Sequence, residues 1–246
     1  MSVNGRAGEP PIRAAPPISD LVAGLYGAFG VACALAGRRA GRAPGQRVES
    51  SLMNGLISLM AYLSAQYLAT GQLPPRTGND HPIAAPYGLY RAADGEVAIA
   101  PSTDDVVRRL FRALDIEAAL ARPEFATYET RLAHRDAVNA LIGERIRTRT
   151  VEHWIGHLNA AGVPCGRVAD LRAVFDDPQV RAQEMVIEVE HPGRGPVRMT
   201  GFPVKLSATP CEARLPAPEL GAHTDEVLRE LGLEAEIPRL RAKGIV

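Results

Sequence analysis

Pro17-Ile18-Ser19-Asp20-Leu21-Val22-Ala23-Gly24-Leu25 is the stretch on which the reading of this chain turns. Ser19 and Asp20 are good capping residues, and an apolar run follows them, so a helix is expected from there to about Ala36. Leu21–Ala36 carries no charge and has glycines at 24, 27 and 30. That length is short for a membrane span, and the small residues suit a tightly packed, buried helix. Asp20 would see the positive end of the helix macrodipole, which favours a negative charge there. Two roles stay open on these grounds. One is a plain N-cap. The other is a carboxylate nucleophile that attacks an acyl carbon and divides one hard transfer into two easier ones, with Gly24 and Gly27 leaving room for a ligand.

Working outward, residues 1–17 lack an apolar period and read as irregular. Leu52, Leu56, Leu59, Met60, Leu63 and Tyr67 recur at helical spacing, which predicts one long helix over Val48–Leu68. A proline-rich connector, Gly71–Pro86, follows. Gly88–Arg91 and Glu96–Ala100 flank Ala92-Ala93-Asp94-Gly95 and predict a hairpin. Three amphipathic helices come next, around Val106–Leu114, Val138–Ile146 and Val151–Leu158. Met185–Glu190 and Val197–Thr200, joined by a Pro-Gly-Arg-Gly turn, predict a second hairpin. Thr224 is expected to cap a helix that stops at Gly232, and a last helix holds Ile237 and Leu240. The chain is therefore expected to be mixed α and β, with a helical unit in the middle.

Composition bounds the function without naming it. The 246 residues are 46% hydrophobic and carry 28 basic against 28 acidic side chains, so a real core is expected. Zero net charge leaves no electrostatic footprint for nucleic acid or an acidic membrane surface. Neither partner is expected. Cys33, Cys165 and Cys211 are far apart, odd in number and outside any CxxC pairing, which suits reduced thiols in the cytoplasm. No signal peptide is visible at the N-terminus. His153 and His157 stand four apart on a helix, yet the intervening residues lack a catalytic glutamate and no third ligand is near, so no metal is expected. GxGxxG, Walker and GxSxG fingerprints do not occur. Trp154 falls on an apolar face and reads as core.

The stretch around Asp20 resembles the catalytic-aspartate segment of family III CoA-transferases, the group of formyl-CoA transferase, carnitine CoA-transferase and α-methylacyl-CoA racemase. The likeness continues through Arg39, Gly45-Gln46-Arg47-Val48, Arg76-Thr77-Gly78-Asn79 and Pro86-Tyr87-Gly88. It runs on in Ala161-Gly162-Val163-Pro164-Cys165-Gly166, Gly201-Phe202-Pro203-Val204 and Leu220-Gly221-Ala222-His223-Thr224-Asp225-Glu226-Val227-Leu228. The blocks stand in family order across nearly the whole chain. The resemblance implies a nucleophilic Asp20 and a CoA thioester as substrate, with no permanently bound cofactor. CoA would pass from an acyl-CoA to a carboxylic acid through an aspartyl-CoA intermediate.

The resemblance also implies an α/β fold: an incomplete open α/β large domain and a smaller, mainly helical α+β domain. Residues 1–70 and 186–246 would belong to the large domain, 71–86 to a linker and 87–185 to the small domain. Chains of the family interlock as dimers. This one is expected to lack the family's N-terminal nucleotide-binding half, and so to form a homodimer or to work with a separately encoded half. No counterpart of the poly-glycine loop of formyl-CoA transferase stands between Gly71 and Pro86, which weighs against oxalate or formate as substrate. Two alternatives remain: a racemase-type isomerase in which Asp20 shuttles an α-proton, or a non-catalytic remnant that only dimerises.

Overall fold

The computed structural model describes residues 1–246. Its contacts divide the chain into two units, Met1–Val168 and Ala169–Val246. The chain is a mixed α and β protein, as expected, with a three-stranded sheet in the first unit and a two-stranded one in the second.

The first unit opens with helix α1, Ile18–Arg39, followed by α2, Leu52–Leu59, and α3, Ala61–Thr70. The single helix expected over Val48–Leu68 is thus two. Val48–Ser51 is not helical, Ser51 caps α2 by accepting from the Asn54 N–H, and Ala61 takes a left-handed φ of 43° that breaks the ladder. Apolar periodicity does not sense a one-residue break, because the residues on either side keep their spacing. Gly71 ends α3 in the left-handed conformation that lets its N–H reach the Tyr67 carbonyl.

Beyond the connector, β1 (Gly88–Arg91) and β2 (Glu96–Ile99) form the expected hairpin, closed by Ala92 N–H to Gly95 O at 2.9 Å. Helices α4 (Asp104–Ala113), α5 (Tyr128–Ala133), α6 (Arg135–Ile146) and α7 (Val151–Ala160) follow. Strand β3, Cys165–Arg167, then pairs antiparallel with β2. The three amphipathic helices fall where periodicity puts them. Thr103 and Thr150 cap α4 and α7, and α5 opens with a capping box between Thr127 and Thr130. Strand β3 has only three residues and no alternation, so the sequence carries no signal for it.

The core of this unit gathers Val97 and Ile99 from the sheet with Val107, Leu110, Phe111, Val138, Ile142, Ile146 and Leu158 from the helices. Trp154 joins them as expected, its indole N–H donating to the Ile146 carbonyl at 2.6 Å.

The second unit holds two short helices, α8 (Leu171–Asp176) and α9 (Pro178–Ala182), then the hairpin of β4 (Val186–His191) and β5 (Gly195–Thr200). Ile187 and Val189 share the more buried face of β4, as alternation predicts. Helix α10, Thr224–Glu230, follows a non-helical stretch, and α11 is Ile237–Ala242. His223, not Thr224, precedes α10, and no side chain caps that helix.

Helix α1 departs from expectation. None of its residues is buried, although its 22 residues are long and apolar enough in composition to cross a membrane. The expected burial fails because this chain places only α2 and the extended Val48–Ser50 segment against it, leaving Leu21, Leu25, Phe29 and Leu35 exposed.

Candidate functional site

Asp20 is the third residue of α1, inside its first turn and not at its N-cap. The preceding Pro17 offers no side-chain cap, and the first helical bond runs from Leu21 N–H to Pro17 O at 3.1 Å. The carboxylate accepts one hydrogen bond, from the Ser19 hydroxyl at 3.1 Å, and satisfies no backbone N–H. The plain-cap role therefore drops out. An exposed carboxylate remains at the positive end of a six-turn helix.

The glycines of α1 divide into two kinds. Gly24 lies one turn beyond Asp20 on the same face, and a Cβ built there would meet nothing within 4 Å. Gly27 and Gly30 face the chain instead: a Cβ would come 3.8 Å from Ser50 Cβ and 2.8 Å from Val48 Cγ1. On α2, Gly55 is buried, and its Cβ would fall 3.1 Å from Val22 Cγ1. Small residues on both helices thus permit a close crossing just past Asp20. Two polar contacts pin it, Ser50 Oγ donating to Ala23 O at 2.8 Å and a hydrogen bond between the Tyr26 and Ser58 hydroxyls at 2.8 Å.

A second polar cluster was not foreseen from the sequence. Asp80 Oδ1 accepts from Asn139 Nδ2 at 3.2 Å, and Asn139 Oδ1 accepts from the Tyr90 hydroxyl at 2.7 Å. Gly88 is needed there, because a Cβ would lie 2.2 Å from Asp80 Oδ1. Arg135 donates through Nη2 to the carbonyls of His81 and Pro82, at 2.8 and 3.0 Å, while its buried Nε has no acceptor. Burial raises the Asp80 carboxyl above its ordinary value, although Arg135 and Asn139 pull it down. Burial, with Arg135 adding to it, holds His81 below its ordinary value. Burial, reinforced by Asp80, pushes the Tyr90 phenol well up. Two blocks of the resemblance, Arg76–Asn79 and Pro86–Gly88, bracket this cluster. They were its only signal, since Asn139 and Arg135 sit on a helix 50 residues away with no motif of their own.

His153 and His157 stack at 5.7 Å between ring centroids, but His157 Nε2 is within 2.9 Å of the Ala113 carbonyl and is engaged there. No group of three His, Cys, Asp or Glu residues is placed to hold a metal ion.

The fold and this site define a mixed α and β protein that presents an uncapped carboxylate at a helix start. A profile of CoA-transferase family III matches residues 1–224, and the chain belongs to that family. It is 31% identical over 249 residues to an acyl-CoA transferase of Fusarium pseudograminearum, an alignment covering 100% of this chain and 54% of that protein. It is also 31% identical to succinyl-CoA–D-citramalate CoA-transferase of Chloroflexus aurantiacus, covering 100% of this chain and 61% of that one. The crystal structure of a CAIB/BAIF family protein from Brucella suis superposes with a TM-score of 0.73 at 30% identity, over 94% of this chain and 60% of that chain. The chain spans 54–61% of the length of these relatives.

Proposed function

We propose that this chain takes part in moving CoA from an acyl-CoA thioester to a carboxylic acid, with Asp20 as the nucleophile. The observation that carries this reading is the Asp20 carboxylate, exposed in the first turn of α1 and not consumed as a cap. In the proposed sequence an Asp20 oxygen attacks the thioester carbonyl, the C–S bond breaks, and CoA leaves as thiolate. The thiolate then attacks the aspartyl carbonyl of the mixed anhydride and expels the donor acid, leaving an aspartyl-CoA thioester. The acceptor carboxylate repeats the exchange in reverse order and regenerates Asp20. Charge balances at each stage, so no metal or proton donor is consumed. The open space at Gly24, one turn on from Asp20, leaves an approach beside the attacking carboxylate.

Several relatives are named for succinyl-CoA, with citramalate, mesaconate or glutarate as partner acids, which supports a dicarboxylic donor and acceptor here. We further propose that residues 1–70 and 186–246 act as pieces of the large domain and 87–185 as the small one. A protein surface, either a second copy or the family's remaining portion, would cover the exposed side of α1 and α2. The free thiols at 33, 165 and 211 fit a cytoplasmic setting.

The test is mass spectrometry of the protein incubated with succinyl-CoA, alone and with any polypeptide that completes it. A CoA adduct on Asp20, and loss of transfer by about 10³-fold or more in Asp20→Asn, are expected. Transfer that survives Asp20→Asn would overturn the assignment.

A further inference from the structure

The segment from Asp80 to Pro86 is held by carbonyls. Arg135 takes those of His81 and Pro82, the Tyr128 hydroxyl donates to that of Ile83, and the buried Arg131 donates through Nε to that of Ala85 at 3.4 Å. His81 N–H in turn donates to Tyr87 O at 2.9 Å. A segment with no helix or strand of its own would otherwise sample many conformations, and α5 and α6 fix it from one side.

On its other side the His81 ring stands between two tyrosines. It stacks on Tyr87 at 4.8 Å and on Tyr62 of α3 at 5.6 Å, with interplanar angles of 26° and 19°. Both ring nitrogens are engaged. Nδ1 is 3.4 Å from the Ile83 N–H, which makes it an acceptor, so Nε2 carries the proton and faces the Tyr62 hydroxyl at 3.5 Å. Tyr62 lies just past the Ala61 break on α3, and the helix before that break, α2, packs on the Asp20-bearing α1.

We propose that Tyr62, His81 and Tyr87 form a protonation-sensitive joint that couples helix α3 to the β1–β3 sheet unit. Protonating His81 puts a proton on Nδ1, removes the acceptor for Ile83 N–H and sets a second cation beside the Arg135 guanidinium. The faces of Tyr62 and Tyr87 pull the other way. The neighbouring Asp80 carboxylate is turned to Asn139 and lies near Asp136 on α6. A histidine held below its unfolded value favours the neutral ring. The joint is therefore intact above about pH 6.5 and loosens as pH falls below that, towards the folded-state value of His81.

Two measurements on the whole chain test this independently of the catalytic reading. In the first, ¹⁵N-resolved histidine NMR of the unaltered protein should report His81 as the Nε2–H tautomer with a midpoint below the ordinary histidine value of about 6.5. An Nδ1–H tautomer, or a midpoint at or above that ordinary value, overturns the joint. In the second, hydrogen exchange is read by mass spectrometry at about pH 7.5 and about pH 5.5 and corrected for intrinsic rates. Peptides covering 61–70 and 79–88 should exchange several-fold faster at the lower pH, while α7 does not change. In His81→Phe, which keeps a ring in the stack but cannot titrate, that difference should vanish. An undiminished pH response in the variant, or none in the unaltered chain, overturns the proposal.

Discussion

The two helical regions of the first unit use apolar residues in opposite ways. Helices α4, α6 and α7 turn theirs onto the β1–β3 sheet, and Phe111 is 0% exposed. Helix α1 is the more apolar in pattern, yet its Phe29 is 69% exposed, and it meets another part of the chain mainly along the face of Val22, Ala23, Tyr26, Gly27 and Gly30. The sheet unit has alternating polar and apolar faces, so each of its helices needs cover on one side only. Helix α1 is uncharged nearly all round and cannot be satisfied by α2 alone. Such a surface is the one that a second copy or the family's remaining portion is proposed to cover, and it lies on the same helix as Asp20.

Truncation mutants measure that difference most directly. Phe111→Ala should cost about 3–5 kcal/mol by denaturant unfolding, the range for deleting a buried aromatic ring. Phe29→Ala should change the stability of this chain by no more than about 0.5 kcal/mol, as surface substitutions do. If Phe29→Ala proved as costly as Phe111→Ala, the contrast would break, and α1 would be covered in solution by another copy.

A smaller but still large effect is expected at Arg131, 3% exposed, whose guanidinium donates to Ala85 O and Phe125 O and pairs with Asp104. Arg131→Met leaves two carbonyls without their donor and should cost about 2–4 kcal/mol in the same assay. Unchanged stability would mean that the sheet unit does not depend on this buried ion for its closure. A smaller loss than at Arg131 is expected at the α5 capping box. Thr127→Ala should lower stability by about 1 kcal/mol and raise amide exchange at the start of α5, without touching α1.

Much of the sheet unit was legible because its signals are local. Asp94-Gly95 turns the hairpin where expected, and Val107, Leu110 and Phe111 repeat at helical spacing; the Thr103 and Thr150 caps of α4 and α7 are equally local. The candidate site was legible at one residue, Asp20, through its neighbours in the chain. The Asp80–Asn139–Tyr90 cluster was not, because Asn139 stands 49 residues from Tyr90 and 59 from Asp80 and meets them only after α6 packs on β1. Whether Asp20 caps its helix was equally undecidable from residue type. A cap and a first-turn carboxylate differ by a fraction of a turn, set here by Pro16 and Pro17 and the start of α1 at Ile18.

The sequence by itself determined the mixed α and β class, the two hairpins, the three amphipathic helices and the aspartate worth testing. Each of these rests on periodicity, capping or turn chemistry within a few residues. Only the tertiary structure decided that α1 is uncovered, that its helical neighbour breaks at Ala61, that β3 completes the sheet, and that His81 stands between two tyrosines. Those features depend on which distant surfaces meet, and the free energy of such a meeting is not encoded in any single local pattern.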